Sequence, residues 1–189
     1  MIYVYHKIDK KIKDTITITP IKFFWDMLTL IFKNVVYLED YNPTDKNQVV
    51  LTFDDGYKIF LKYAFPILKF FKYPFELFLC SDFVNSSEYY LNEEDLINIV
   101  NSNGRLEYHS KNHANLWDIY DEEILDEQIK CPDNLKKLDL KGFKYFAYPC
   151  WKYNDICLTI VKKYYKGARS GNGFAQKNNY YALDSLKKG

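Results

Sequence analysis

The chain has 189 residues, 48% of them hydrophobic, with 26 basic and 25 acidic side chains and a formal net charge of +1. That length and apolar content can bury a full core, and they read as one domain over residues 1–189. A balance so close to neutral supplies no electrostatic case for nucleic acid or an anionic membrane as partner.

Residues 2–5, Ile-Tyr-Val-Tyr, alternate as a short half-buried strand that delivers His6 to its end. Residues 21–38 are the longest apolar stretch, interrupted by Lys22, Asp26 and Lys33. Within it Ile21, Phe24, Trp25, Leu28, Ile31 and Phe32 follow helical spacing, which predicts an amphipathic helix and not a membrane span. Residues 49–53 are a β-type run that ends abruptly in Asp54, Asp55 and Gly56. A helix follows over residues 57–71, with a bend expected at Pro66. Residues 75–80 form an apolar strand relieved only by Glu76, and Asn92 with Glu93, Glu94 and Asp95 is a capped helix start. A strand over residues 105–108 runs into His109. Asp121 opens a further helix broken near Pro132, residues 143–148 are strand-like, and residues 154–165 are helical with Ile156, Ile160 and Val161 inward. Weak strands lie near residues 166–168 and 180–183. Repeated βα units argue for an α/β fold whose parallel sheet closes inward, with its site at the C-terminal strand ends.

Cys80, Cys131, Cys150 and Cys157 show no C-x-x-C or zinc-ribbon spacing and fit a reducing compartment. Met1 leads directly into the first strand with no room for a signal peptide, so the expectation is a cytoplasmic protein. The 18 Tyr and 14 Phe could line a sugar groove, though core packing is their commoner use.

Two adjacent carboxylates at the end of a buried strand are costly unless they serve a metal ion, a proton transfer or both. The plain alternative is an Asp-Gly turn. Two of the three histidines, His109 and His113, stand four residues apart after another strand. Two His and one carboxylate with open positions match a hydrolytic Zn²⁺ site or a non-haem iron triad. Read alone, the pair could equally be surface histidines beside Lys111 and Asn112.

Taken together, Thr52-Phe53-Asp54-Asp55-Gly56 and His109-Ser110-x-x-His113 resemble the first two motifs of the polysaccharide deacetylases, the NodB-homology enzymes of carbohydrate esterase family 4. The resemblance continues in chain order. Tyr5-His6-Lys7-Ile8 looks like the opening of the poly-N-acetylglucosamine deacetylase branch, and Thr19, Pro20, Ile21 and Phe24 resemble that branch's first helix. Tyr63-Ala64-x-Pro66 resembles the helix after the diacid, and Phe146-Ala147-Tyr148-Pro149-Cys150-Trp151-x-Tyr153-Asn154 the third motif. The resemblance implies a distorted (β/α)7 barrel and one divalent metal ion, Zn²⁺ first, with Co²⁺, Ni²⁺ or Fe²⁺ as alternatives, on Asp55, His109 and His113. It implies Asp54 as general base, the backbone N–H of Cys150 as oxyanion donor, and His6 as general acid in the absence of any histidine after His113. Tyr148, Pro149, Trp151 and Arg169 are the expected substrate-side residues.

The chain departs from the family at several positions. Trp151 replaces a glycine, Tyr108 replaces a small residue before His109, and the arginine that orients the base before the third motif is missing, with Arg169 a candidate substitute. The implied activity is removal of an N-acetyl or N-formyl group from an amino sugar, as an intracellular nucleotide-linked, lipid-linked or oligosaccharide intermediate of surface-glycan synthesis. The alternatives are a hydrolase of a non-sugar linear or cyclic amide, and an inactive sugar-binding relative. Oligomeric state is not legible in the sequence.

Overall fold

The computed structural model describes residues 1–12 and 14–170 and the strand pairs Leu183–Asp184 and Leu186–Lys187. Its centre is a parallel sheet built from β1 (Ile2–Tyr5), β5 (Gln48–Asp54), β6 (Phe75–Leu79), β7 (Gly104–Tyr108), β8 (Tyr145–Ala147) and β9 (Gly167–Ser170). These six stand side by side in the order β9-β8-β7-β6-β5-β1. At the two ends of this row β10 (Leu183–Asp184) bonds to β9 and β11 (Leu186–Lys187) to β1, both in parallel, so that pairing closes toward the first strand. This is the distorted α/β barrel expected. Short β2 (Lys7–Ile8) and β3 (Thr17–Ile18) pair with each other, and β4 (Asn34–Val35) pairs with the start of β5.

Register fixes which side chains share the lumen. Ile2 pairs with Val50, Thr52 with Glu76, Glu76 with Arg105, Asp54 with Phe78, Phe78 with Glu107, and Ala147 with Arg169. Side chains in register on parallel strands face the same way, so these residues point inward and their neighbours point outward to the helices. Ile2, Leu38, Val50, Phe78 and Ala147 form the small inner cluster. The larger cluster lies between strands and helices, where Phe53 packs on Tyr5, Phe23, Phe60 and Phe75. At the N-terminal end of the barrel Glu39 accepts from Arg105, Lys144 and Lys166 at 2.8–3.1 Å, which holds its carboxyl down at about 2.

Helices α2 (Ile59–Phe71), α3 (Glu93–Val100), α4 (Glu122–Ile129), short α5 (Asp133–Lys136) and α6 (Asp155–Tyr164) follow the sequence signals. Asn92 and Asp95 form a complete capping box at α3, while Asp121 and Asn154 cap α4 and α6. Pro66 lies inside α2.

Three expectations need correction. The strand over residues 2–5 is buried at all four positions, because it is enclosed between β5 and β11 and strands in parallel barrels are covered on both faces. The helix expected over residues 21–38 is α1 (Pro20–Leu28) only. Asn34 and Val36 instead donate their N–H groups to Asn47 O, just before β5, and to Val49 O on β5, and those bonds outweigh local helical spacing. The inward face of α1 is also Phe23 and Met27, both fully buried, while Ile21 and Trp25 are exposed. Apolar residues occupy both faces of this helix, so spacing alone could not choose between them. The weak strand near residues 180–183 lies outside the described residues except at Leu183, which is in β10.

Candidate active site

The C-terminal ends of β1, β5, β7, β8 and β9 converge on a cavity of about 590 Å³ whose lining includes His6, Asp54, Asp55, His109, His113 and Cys150. β5 ends in Asp54, and the chain then turns through two left-handed residues, Asp55 at φ 69° and Gly56 at φ 73°. A Cβ on residue 56 would also approach Leu79 Cδ2 to 2.9 Å, so the turn needs glycine. The reversal drops Asp55 toward the loop after β7.

That loop is pinned from several sides. His109 N–H donates to Leu79 O at 2.8 Å, Lys111 N–H to Gln128 O at 2.9 Å, and His113 N–H to Ser110 Oγ at 3.0 Å. Ser110 and His113 both have positive φ, 76° and 61°. These constraints bring both imidazoles onto Asp55. His109 Nε2 and His113 Nε2 each lie 3.5 Å from Asp55 Oδ1, and the three donor atoms fall within 4.8 Å of one another.

Three observations fit this group to a divalent cation. Asp55 Oδ1 is buried with no hydrogen-bond partner among the described residues, a costly state unless a cation is present. His109 Nδ1 lies 2.7 Å from Ala147 O, so Nδ1 carries the proton and the Nε2 lone pair faces Asp55, as metal-ligating histidines are held. Burial depresses the His109 pKa to about 3, which keeps the ring neutral and available as a ligand.

Asp54 points into the lumen beside this group and is almost fully buried. Its Oδ1 accepts from Arg169 Nη2, and its Oδ2 lies 3.7 Å from His6 Nε2 and 4.0 Å from His109 Nε2. The Arg169 side chain is completely enclosed, and its guanidinium lies 4.4 Å above the centre of the Phe78 ring. Burial lowers its pKa while the Asp54 charge opposes the change. A side chain with no exposed surface cannot reach a substrate, so the substrate-side place expected for Arg169 is corrected: it anchors Asp54 from beneath. Tyr148 and Pro149 are buried as well. The Tyr148 ring stacks on Tyr153 at 4.4 Å and fixes the third motif more than it offers surface.

The motif-three edge is a short 3₁₀ turn, Pro149–Trp151, in which Cys150 and Trp151 both have positive φ, 53° and 60°. Trp151 N–H donates to Tyr148 O and Lys152 N–H to Pro149 O. The Cys150 N–H donates to nothing among the described residues and lies on the cavity rim. Of the nine non-glycine residues with positive φ among the described residues, five (Asp55, Ser110, His113, Cys150 and Trp151) belong to this site, a concentration of backbone strain typical of functional positions.

Sequence reasoning missed the opposite wall. Tyr57 stacks on Tyr90 at 5.4 Å and Tyr90 on Phe83 at 4.5 Å, and all three line the cavity. Tyr57 follows the diacid turn directly, a position that could have flagged it. Burial and the Asp55 charge both raise its hydroxyl pKa.

The class these features define is a parallel α/β barrel whose strand ends carry an Asp/His/His group that could hold a metal ion. The chain belongs to the polysaccharide deacetylase family, whose model matches residues 41–166. That span holds Asp54, Asp55, His109, His113 and Cys150, whereas His6 and Arg169 lie outside it. Among curated proteins it is similar to the polysaccharide deacetylase YxkH of Bacillus subtilis, with 24% identity over 157 residues, covering 82% of this chain and 56% of that protein. Among solved structures it is similar to the polysaccharide deacetylase BC0361 of Bacillus cereus, with a TM-score of 0.86 and 22% identity over 98% of this chain and 63% of that one. It is also similar to the deacetylase PplD of Streptococcus pyogenes, solved with acetate, with a TM-score of 0.86 and 22% identity over 99% and 91% of the two chains. The chain thus spans a little over half the length of YxkH.

Proposed function

We propose that this protein is a divalent-metal-dependent hydrolase that removes the acetyl group from an N-acetylated amino sugar. The observation that carries the reading is the meeting of three metal donors on Asp55 Oδ1 with a second carboxylate, Asp54, anchored beside them by a buried arginine. Family membership supports carbohydrate deacetylation, and the acetate in PplD is the product such a reaction would release.

A divalent ion on Asp55, His109 and His113 supplies Lewis acidity that polarises the amide carbonyl and acidifies water. Zn²⁺ suits two imidazoles and one carboxylate, and Co²⁺, Ni²⁺ or Fe²⁺ take the same donors. Asp54 accepts the proton of the attacking water, with Arg169 preventing its carboxylate from turning away. The new oxyanion accepts from the Cys150 N–H, which has no other acceptor among the described residues and belongs to a residue lining the cavity. His6, close to Asp54 at the end of β1, gives a proton to the departing amine as the C–N bond breaks. An acid at this place resembles the poly-N-acetylglucosamine branch. The stacked Tyr57, Tyr90 and Phe83 and the opposing Trp151 offer faces on which a sugar ring can pack. The reading places the substrate among nucleotide-linked, lipid-linked or short oligosaccharide intermediates of surface-glycan synthesis, and the free cysteines support a reducing compartment.

The test is a metal-replete preparation incubated with N-acetylated nucleotide sugars and short N-acetylated oligosaccharides, read by mass loss. Acetyl release that Asp54→Asn abolishes supports the assignment. His6→Ala should lower kcat by about 10²–10⁴-fold without changing metal content. Metal-loaded protein that binds a glycan and releases no acyl group would mark a binding relative.

A further inference from the structure

Helix α1 is apolar on two faces, and only one of them is used. Phe23 and Met27 are buried against the barrel, but Ile21, Trp25, Ile31 and Phe32 are 64, 58, 51 and 91% exposed. Ile21 and Trp25 recur at helical spacing on the outward face of α1, and Ile31 and Phe32 are exposed in the turn after Leu28. This apolar surface is continuous with α2. The Phe24 ring lies 5.6 Å from Phe71, Phe71 lies 5.0 Å from Phe70, and Phe70 is 73% exposed. No helix among the described residues is long and apolar enough to cross a membrane. Contiguous exposed surface of this kind marks a binding face.

The charges on the two helices are mainly basic. Residues 20–33 and 57–74 carry six lysines and a single acid, Asp26. Asp26 is occupied, since it accepts from Tyr5 and pairs with Lys22 at 3.4 Å. Lys58 pairs with Asp95 at 3.0 Å. Lys33, Lys62, Lys69 and Lys72 are exposed and have no carboxylate partner among the described residues, with Lys69 over the Phe65 ring. The nearly neutral total charge therefore conceals a locally basic, aromatic face. Exposed Trp, Phe and Ile ringed by lysine is the chemistry of an anionic lipid–water interface: rings enter the headgroup layer and ammonium groups meet lipid phosphates.

We infer that the α1–α2 face docks this protein on an anionic lipid bilayer surface. Phe70 lies in the last turn of α2, and Phe32 precedes β4, which pairs with Gln48 and Val49 at the start of β5. Both lie at the N-terminal end of the barrel, opposite Asp54. A docked molecule keeps its cavity open to solvent. The inference does not depend on the hydrolase assignment.

The full chain is sedimented with vesicles of phosphatidylcholine alone and of phosphatidylcholine mixed with phosphatidylglycerol. Binding to the anionic vesicles should exceed binding to the neutral ones by at least tenfold and weaken at high salt. Phe32→Glu with Phe70→Glu should reduce it at least tenfold with an unchanged thermal melt, because both side chains lie outside the core. Lys69→Glu with Lys72→Glu gives a second, independent loss. No binding at millimolar anionic lipid overturns the inference. So does undiminished binding by both variants, or a dimer in gel filtration that the Phe32→Glu, Phe70→Glu variant dissolves.

Discussion

Glu76→Gln should stabilise the protein increasingly as pH rises. The carboxyl of Glu76 faces the lumen with no exposed surface; Oε1 accepts from the Leu38 N–H at 3.0 Å, and Oε2 has no partner among the described residues. Burial pushes its pKa from 4.5 to about 8, and burial together with the Glu76 charge drives neighbouring Glu107 the same way. The sign follows from which form the fold prefers. Folding favours the neutral acid, so the contribution is complete below the unfolded pKa and is lost as pH rises through the folded pKa. At about 1.4 kcal/mol per pH unit the gap between the two pKa values corresponds to roughly 5 kcal/mol. Glutamine keeps the Leu38 bond and cannot ionise. The variant should therefore exceed the parent by about 1 kcal/mol near pH ~5, about 3 near pH ~7 and about 5 near pH ~9. Urea unfolding followed by tryptophan fluorescence, with chelator present so that metal binding adds no pH dependence, gives the three differences. A gap that stays constant across this range would refute the reasoning, because a lumen carboxylate would then be ionised without penalty.

Arg169→Leu leaves the Asp54 carboxylate buried and unpaired, which should cost about 3–5 kcal/mol of stability in urea. Any acyl release should fall with it, and Arg169→Lys should recover part of both. Trp151→Gly removes a left-handed non-glycine residue at φ 60°, so the melt should rise by the equivalent of about 1 kcal/mol while KM for N-acyl sugars rises, because the indole face is lost. Chelation should lower the melting temperature of metal-loaded protein, since a ligand at a hundred times its Kd contributes about 2.7 kcal/mol. His113→Ala should show reduced metal content by elemental analysis and little response to chelator.

The parts of the site carried by strand ends were legible in sequence, because a strand that stops at a polar cluster announces both its face and its terminus. Asp54, Asp55, His109 and His113 are of this kind, and the structure brings them within reach of one another. The partnership of Arg169 with Asp54 was legible only through the family resemblance, which made Arg169 a candidate for orienting the base: it joins residues 115 apart across the lumen, and neither local pattern nor charge predicts which buried acid an arginine on β9 will meet. The extent of the first helix was misjudged for a related reason. Residues 34–36 satisfy helical spacing, but tertiary pairing with β5 gives their backbone better partners. The aromatic wall was hidden by abundance, since 18 tyrosines offer too many candidates for spacing to select two.

The fold imposes an order of assembly. As the chain is synthesised, Asp55, His109 and His113 are all present once β7 and its loop have emerged, so the metal donors can gather on a partly built sheet. The buried partner of Asp54 comes later, because Arg169 lies on β9, 115 residues further along the chain. On the function proposed above, a cation could be held by Asp55, His109 and His113 before Asp54 has the guanidinium that fixes it, so the order of the strands also orders the assembly of the site.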